Sequence, residues 1–335
     1  YFEENKISPT GNYKLFVKSG LLIAGLLGCY IWLVFYTPHS ILLALLLCSL
    51  MGVLFAAVGF NVMHDGGHGS FSKNKLVNKL AAFSVNFLGA SHIMWKMKHN
   101  IIHHTYTNID GVDDDIEIKP FLRMCSTQKR HRLHRFQHYY VWFLYTLLHL
   151  IWVFQTDYKK YFSKKIGSVA LTKMSMQEHI GFWSAKVGYA IFFMVIPIIT
   201  VGFFQWVIGF LIVSMVTGFV ISIVFQLAHT VEHLEFPVPE VLTQKIENEW
   251  AIHQVQTTAN FATKNKFLSW LVGGLNFQIE HHLFPKISHI HYPAISKIIK
   301  QTCVDFNIQY VEFKKMRHAV ISHAMYLRRM GKAIA

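Results

Sequence analysis

Two stretches without a single charged side chain constrain the fold of this chain more than any other feature. No Asp, Glu, Lys or Arg occurs from Ser19 to Met63 or from Val187 to Leu227. A helix needs about 20 apolar residues to cross the hydrocarbon core of a bilayer, so each stretch is long enough for two crossings. Charged residues make up 15% of the chain, against roughly 25% in soluble domains. The sequence therefore predicts an integral, multi-pass membrane protein and excludes a disordered chain.

A break inside each uncharged stretch divides it into two helices. Residues 36–40 contain Pro38, and Gly202 follows Val201 in the second stretch; both are residues that interrupt helices. Pro197 is expected to kink or end the third helix. The predicted fold is all-α, a single domain over 1–335, with two transmembrane hairpins, interfacial helices and a cytosolic helical cap. The predicted spans are 20–36, 41–62, 182–200 and 203–227, and the predicted cap comprises 64–181 and 228–335.

The basic residues predict the orientation of these helices. All 32 Lys and Arg residues lie outside the two hairpin turns. The positive-inside rule then places both termini and the middle segment in the cytoplasm. The net charge of +14 is explained by topology, and no nucleic-acid partner is expected. The apolar run 136–156 is expected to lie at the membrane interface, because a crossing there would move one of its flanking basic clusters outside and invert the second hairpin.

Histidines cluster in three short motifs next to the predicted spans. The motifs read H-D-G-G-H, H-N-I-I-H-H and Q-I-E-H-H. Residues three or four apart share a helix face, so each motif directs several imidazoles to one point. A structural zinc takes four ligands, and the larger number here predicts two metal ions. Because zincin and E-x-x-H carboxylate motifs are absent from the sequence, we interpret the cluster as an oxygen-activating di-iron site. Its histidines are His64, His68, His99, His103, His104, His281 and His282.

In their order along the chain, the three motifs resemble the histidine boxes of membrane fatty-acid desaturases, and the likeness covers about residues 20–300. Because it begins with Gln278, the third box resembles that of the front-end, linoleoyl-CoA-desaturase-like branch of this family. The resemblance implies a further metal ligand near the cytosolic end of the fourth span, and His229 in F-Q-L-A-H matches it. Gln278 is an uncertain ligand of a metal ion or a water molecule. Carboxylates beside the boxes are expected to orient the imidazoles: Asp65, Asp113, Asp114, Asp115, Glu232 and Glu280.

The resemblance implies an oxidoreductase, a fatty-acyl desaturase of lipid metabolism. Two iron ions would use dioxygen as co-substrate and two electrons to remove hydrogens from adjacent carbons, leaving a cis double bond and water. Zinc is expected to replace iron in overexpressed protein, and no haem is expected. The acyl chain would be carried by CoA or by a lipid. No catalytic residue is predicted beyond the metal ligands, and the substrate-binding residues are unassigned.

The electron donor is expected to be a separate protein. Many front-end desaturases carry a fused cytochrome b5 domain with an H-P-G-G motif, which does not occur in this sequence. A ferredoxin, or a cytochrome b5 with its reductase, is therefore expected, and a bacterial inner membrane is favoured over the endoplasmic reticulum. An acidic donor would be steered by basic residues, which otherwise follow the positive-inside rule: Lys129, Arg130, Arg132, Arg135, Lys314, Lys315 and Arg317.

Three other functions remain as alternatives. A hydroxylase or ketolase would use the same di-iron scaffold, and product analysis separates these enzymes from a desaturase. A haem-binding electron carrier would place single histidines in mid-membrane, whereas the motifs here lie at the ends of spans. A zinc-stabilised receptor without enzymatic activity would contain one zinc ion and show no turnover.

Overall fold

In a computed structural model, the chain is described over residues 1–240 and 246–332. Four helices in this part of the chain are long and apolar enough to cross a membrane, and each has 24 to 28 residues. At 1.5 Å per residue, such helices exceed the roughly 30 Å of a bilayer core. The predicted all-α membrane protein with four spans is therefore confirmed. The first to fourth long helices are Tyr13–Tyr36, Ile41–His68, Met176–Val201 and Phe203–His229.

All four long helices extend beyond the predicted spans, and the first and third begin earlier because a cap, rather than the first charged residue, sets the start. The Asn12 side chain accepts a hydrogen bond from the backbone N–H of Lys14, so the first helix begins at residue 13. Ser175 and Glu178 form a capping box that starts the third helix at residue 176. The second helix continues as a π-helical turn, Gly59–Met63, and then through the first box to His68.

Pro197 does not end the third long helix, which continues to Val201. The turn before it, Ile191–Val195, is π-helical. Proline cannot donate to the carbonyl four residues earlier, and the carbonyl of Phe193 accepts a hydrogen bond from the Trp206 indole at 2.8 Å instead. The helix ends where Gly202 adopts a φ of 90°. The predicted break near Gly202 is thus found, with glycine supplying the backbone conformation that other residues avoid.

The chain divides into two compact units. We call Tyr1–Trp95, Phe143–Lys164 and Thr172–Ser222 the hairpin unit, and Lys96–Trp142, Lys165–Leu171 and Ile223–Ala335 the histidine unit. The fourth long helix passes from the hairpin unit into the histidine unit at residue 223.

The hairpin unit adds short helices to its long ones. The apolar run 136–156 is broken near Leu147 and is not among the long apolar helices of the described chain. The first box packs tightly: a Cβ on Gly66 would lie 2.6 Å from Ala81, and one on Gly67 would lie 2.3 Å from the Trp95 ring. The short elements are Lys75–Phe87, His92–Trp95, Leu148–Ile151, the π-helical Trp152–Thr156 and Asp157–Ser163.

The histidine unit is built from short helices and two small strand pairs. Lys165–Ile166 pairs antiparallel with Val169–Ala170, and Asn260–Phe261 pairs parallel with Glu312–Phe313. Its α-helices are His104–Tyr106, Trp250–Gln256, Lys266–Leu271, Gln278–Leu283, Tyr292–Asp305 and Met316–Lys332, with Gln137–Thr146 beginning in this unit. Lys96–His103 is π-helical, and Asp114–Ile116, Arg132–Phe136 and His289–His291 are 3-10 turns.

Candidate metal centre

Three histidines from separate segments of the histidine unit converge on one point. His103, His229 and His282 each offer a ligand atom, and these atoms lie within 4.8 Å of one another. All three side chains are at most 4% exposed. Their Nε2 atoms have no hydrogen-bond partner in the described part of the chain. Buried polar atoms are almost always satisfied, so three such atoms at one point fit a site that could hold a metal ion.

Each of these three imidazoles is fixed through its other nitrogen by an oxygen acceptor. An acceptor at Nδ1 requires the proton to be on Nδ1, which leaves the Nε2 lone pair available to a metal ion. The pairs are His103 with the Asp113 carboxylate at 3.1 Å, His282 with Gln254 Oε1 at 2.8 Å, and His229 with the Thr257 carbonyl at 3.3 Å.

A second group of histidines shares His282 with the first. His104, His281 and His282 offer ligand atoms within 4.8 Å of one another. The Nε2 atoms of His104 and His99 lie 3.3 Å apart. Nδ1 of His281 lies 3.1 Å from the hydroxyl of Tyr292. The second and third boxes are therefore brought together inside one unit.

The second box lies on a π-helical turn, Lys96–His103, and not on an ordinary α-helix. A π-helix closes its hydrogen bonds over five residues, and π-helical turns are frequent at functional sites. The wider turn brings together His99 and His104, which are five residues apart. Spacing rules based on three or four residues did not anticipate this pair.

The acidic run after the second box surrounds His103. The Asp113 carboxylate also accepts the backbone N–H of Asn108 at 2.9 Å, and Asp115 Oδ2 lies 3.3 Å from His103 Nδ1. Lys98 lies 2.5 Å from Asp115 and 3.8 Å from Asp114. Burial is the largest single influence and opposes the charged imidazole, but the attraction and hydrogen bond of Asp113, together with the attraction of Asp115, outweigh it and raise the pKa of His103.

His282 has the opposite electrostatic environment. Burial, followed by the neighbouring imidazoles of His104 and His229, holds its pKa well below the usual range. His282 is therefore neutral at physiological pH, which is the form that binds a metal ion.

Glu280 orients the backbone of the third box. Its carboxylate accepts hydrogen bonds from Asn260 Nδ2 at 2.7 Å and from the Tyr310 hydroxyl at 2.8 Å. Asn260 in turn accepts the backbone N–H of Ile279 at 3.0 Å. Burial raises the pKa of Glu280 to about 7, although the hydrogen bonds from Asn260 and Tyr310 act to lower it. The described partners of Glu280 are thus an amide and a phenol, whereas the sequence predicted an imidazole.

Gln278 begins the helix of the third box and is 0% exposed. Neither Oε1 nor Nε2 of its amide has a hydrogen-bond partner in the described part of the chain. An amide buried in this way is costly unless another group occupies the site. That Gln278 binds a metal ion or a water molecule stays a prediction.

The first box lies in the hairpin unit. The ring centroids of His64 and His68 are 4.7 Å apart. Asp65 is 1% exposed and attracts the ammonium group of Lys18, which is 7% exposed. That these histidines share a metal pair with the other boxes stays a prediction.

Three further residues close to the boxes or to His229 in the sequence are His92, Glu232 and His233. His233 is exposed. The rings of His92 and Phe83 are stacked, with their centroids 5.1 Å apart. Glu232 is half-buried, and its backbone N–H donates to Ser322 at 3.0 Å. None of the three belongs to the groups of potential ligands found among the described residues.

Three residues that contact the imidazoles, Gln254, Thr257 and Tyr292, were not predicted from the sequence. Gln254 and Thr257 belong to a short helix, Trp250–Gln256, and the residue that follows it. Tyr292 begins the helix after the third box. Each is an ordinary polar residue without a motif, so only the packing of distant segments identifies it.

Comparison with known proteins assigns the family. A model of the fatty acid desaturase family matches residues 40–314. The chain belongs to this family. The predicted oxidoreductase activity on fatty acyl chains is thereby confirmed.

Relatives of this desaturase match it over nearly its full length. An sn-1 linoleoyl-lipid 6-desaturase of Arthrospira platensis is 36% identical over 99% of this chain and 89% of its own. An enzyme with the same name from Synechocystis is 35% identical, over 99% and 93% of the two chains. An acyl-lipid (8-3)-desaturase of Physcomitrium patens is 36% identical, over 99% and 69%.

Proposed function

We propose that this desaturase uses a histidine-bound pair of iron ions and dioxygen to introduce a cis double bond into an acyl group carried by a lipid. The observation that carries the proposal is the convergence of His103, His229 and His282. In each of these histidines, Nε2 has no hydrogen-bond partner among the described residues and Nδ1 faces an oxygen acceptor. Each imidazole is therefore assigned the tautomer that binds a metal ion through Nε2.

The donor set fits iron, since imidazole is a ligand that iron accepts readily. Zinc also accepts such donors, so zinc in overexpressed protein is consistent with the proposal. His99, His104 and His281 would hold the second ion together with His282. The family implies that His64 and His68 also bind this pair of iron ions. When bound, the iron pair supplies the activation of dioxygen and the removal of two hydrogens from adjacent carbons.

The protein's own residues hold protons and exclude water. Asp113, Gln254 and the Thr257 carbonyl keep the Nδ1 protons of three ligands in place. The boxes of the histidine unit are buried, with His281 and His282 at 0% exposure. A dry, fixed set of ligands favours one reaction geometry over competing reactions.

The substrate class follows from the relatives. Their names describe enzymes acting on linoleoyl-lipids or acyl-lipids. We propose that this chain likewise acts on an unsaturated acyl group in a membrane lipid, on the carboxyl side of the existing double bond. The amide of Gln278 has no hydrogen-bond partner among the described residues. This supports a polar contact made by the third box that is specific to front-end desaturases.

Electrons would come from a separate acidic protein that docks on a basic surface of the histidine unit. Arg130 Nε donates to the Gly331 carbonyl at 2.7 Å and so joins the 3-10 turn near Arg132 to the end of the last helix. The pKa of His138 is lowered by burial and then by Arg328 and Lys332, so these cations lie close to it. The basic surface comprises Arg130, Arg132 and Arg135 of the predicted set together with Arg328 and Lys332, all of them exposed. That Lys129, Lys314, Lys315 and Arg317 also contact the donor stays a prediction. We place this surface and both termini in the cytoplasm of a bacterial cell.

The test is lipid analysis of a bacterial strain that expresses the chain and is fed defined fatty acids. With linoleic acid we expect a new double bond between the carboxyl group and the existing double bonds, in lipid-bound fatty acids. A hydroxylated or oxo product would contradict desaturation. A new bond on the methyl side would contradict the proposed position, and a product found only as CoA thioester would contradict the lipid carrier.

A further inference from the structure

A cavity of about 440 Å³ lies inside the hairpin unit, at the hairpin-turn ends of the four long helices. This volume is in the range of small-molecule sites, about 300–1,000 Å³. We propose that it binds one acyl chain of a membrane glycerolipid. The site is separate from the histidine boxes and goes beyond the proposed function.

The exposure of the lining residues distinguishes a mouth from a floor. Ile41 and Ile208, near the beginnings of the second and fourth long helices, are 77% and 56% exposed. Met51, Phe55 and Tyr189 are at most 5% exposed. The cavity therefore opens at the turns of the hairpins and closes in the interior of the helix bundle.

The chemistry of the cavity matches an amphiphile with one hydrocarbon chain inside. The mouth carries the hydroxyl of Thr37 and the amide of Gln205, which suit the interfacial region of a bilayer. Tyr30 and Trp206 also line the wall. Their polar atoms donate to the carbonyls of the π-helical turn Ile191–Val195, so their rings add apolar surface.

The depth of the cavity suits a whole chain. From Ile41 to Phe55 the second long helix rises about 21 Å at 1.5 Å per residue. One leaflet contributes about 15 Å, half of the roughly 30 Å core. An apolar cavity of this kind excludes water, and left empty it would lose dispersion contacts along its walls. In a bilayer the adjacent phase is hydrocarbon, so a lipid chain is the available occupant.

The occupant is not the chain that reacts. Phe55 at the floor precedes His64 by nine residues in one helix, which places the floor about 14 Å along the helix axis from the first box. A lipid whose headgroup lies at the mouth presents its methyl end to the floor. Its carbons therefore remain remote from the first box.

Photolabelling of the full chain in phosphatidylcholine nanodiscs tests the site. The probe is phosphatidylcholine with a diazirine near the methyl end of one acyl chain, and labelled residues are read by mass spectrometry. We expect label on Met51 and Phe55. Gly209→Leu should abolish this label, because a Cβ added at residue 209 would lie 3.5 Å from Cys48 Sγ, and both residues line the cavity. Ala44→Phe fills the cavity from the second helix and gives an independent variant.

The matched control is Gly28→Leu, which adds the same side chain to a long helix where a Cβ meets nothing within 4 Å. It should keep the label. Floor labelling that survives both filling variants would overturn the proposal, as would label confined to the exposed Leu42 and Leu46. Label from a free diazirine fatty acid but not from phosphatidylcholine would overturn the lipid assignment. Recovery of desaturated probe from the floor would show a substrate path instead. Desaturation measured in the same samples keeps this result distinct from the proposed function.

Discussion

The hairpin unit and the histidine unit bury polar side chains with different outcomes. In the hairpin unit, Lys186 Nζ donates to Asp157 at 2.7 Å and to the Gly89 carbonyl at 2.8 Å. Asp157 also accepts the backbone N–H of Ser91 at 2.6 Å. This buried pair neutralises its own charge and is complete without any added group.

In the histidine unit, a comparable degree of burial leaves lone pairs unused. His103, His229 and His282 have satisfied Nδ1 atoms and bare Nε2 atoms. The comparison teaches that burial of polar groups does not by itself indicate function. A buried ion pair whose members satisfy each other needs no further group. A convergent set of buried nitrogen atoms without hydrogen-bond partners fits a site for an added group such as a metal ion.

The largest expected effect comes from removing a ligand of the histidine unit. His103→Ala and His282→Ala should each abolish desaturation and lower the iron content, because each removes an Nε2 donor from the converging group. Product analysis and metal analysis of purified protein provide the measurement. His318→Ala, at an exposed histidine outside these groups, is the matched control. Normal turnover in either ligand variant would refute the assignment.

Breaking the ion pair of the hairpin unit should lower stability instead. Lys186→Ala leaves Asp157 buried and unpaired, which typically costs about 3–5 kcal/mol. The double variant Lys186→Met with Asp157→Leu removes both charges and should recover most of the loss. Denaturant unfolding in detergent measures the free energy of unfolding. A cost below about 1 kcal/mol for the single variant, a typical value for exposed pairs, would contradict the contrast between the units.

A smaller effect is expected where a residue only orients a ligand. Gln254→Leu removes the acceptor at His282 Nδ1 and should lower iron affinity by about 10–100-fold. Gln254→Glu keeps an acceptor oxygen and should restore most of the affinity. Competition with a chelator measures the affinity, and Gln301→Leu at an exposed position is the control. Equal affinities for the Leu and Glu variants would show that Gln254 does not act through this hydrogen bond.

The smallest effect concerns the basic surface. Arg132→Glu with Arg135→Glu should slow reduction by an acidic donor by about tenfold at low ionic strength, and the difference should shrink in salt. Stopped-flow reduction of the full chain measures it. Lys297→Glu, an exposed charge on another helix of the histidine unit, should have little effect. Equal slowing by the control would indicate net charge rather than a docking surface.

Much of the hairpin unit could be predicted from the sequence. Ser19–Met63 and Val187–Leu227 contain no charge, and each is too long for one crossing and ends in a polar motif. Hydrophobicity over about 20 residues is a local property, so the linear pattern was sufficient for the number of helices. The ends of the helices depended on caps such as Ser175, which the absence of charge does not reveal.

The sequence by itself determined that this chain is a membrane protein with three histidine motifs, because both signals are local in the chain. It did not determine which nitrogens converge or what holds them. Gln254 lies 28 residues before His282, and His229 meets His103 only through folding. The π-helical turn at Lys96–His103 also changed which residues share a face. Only the tertiary structure decided these points, since hydrogen bonds between distant segments leave no periodic trace in the sequence.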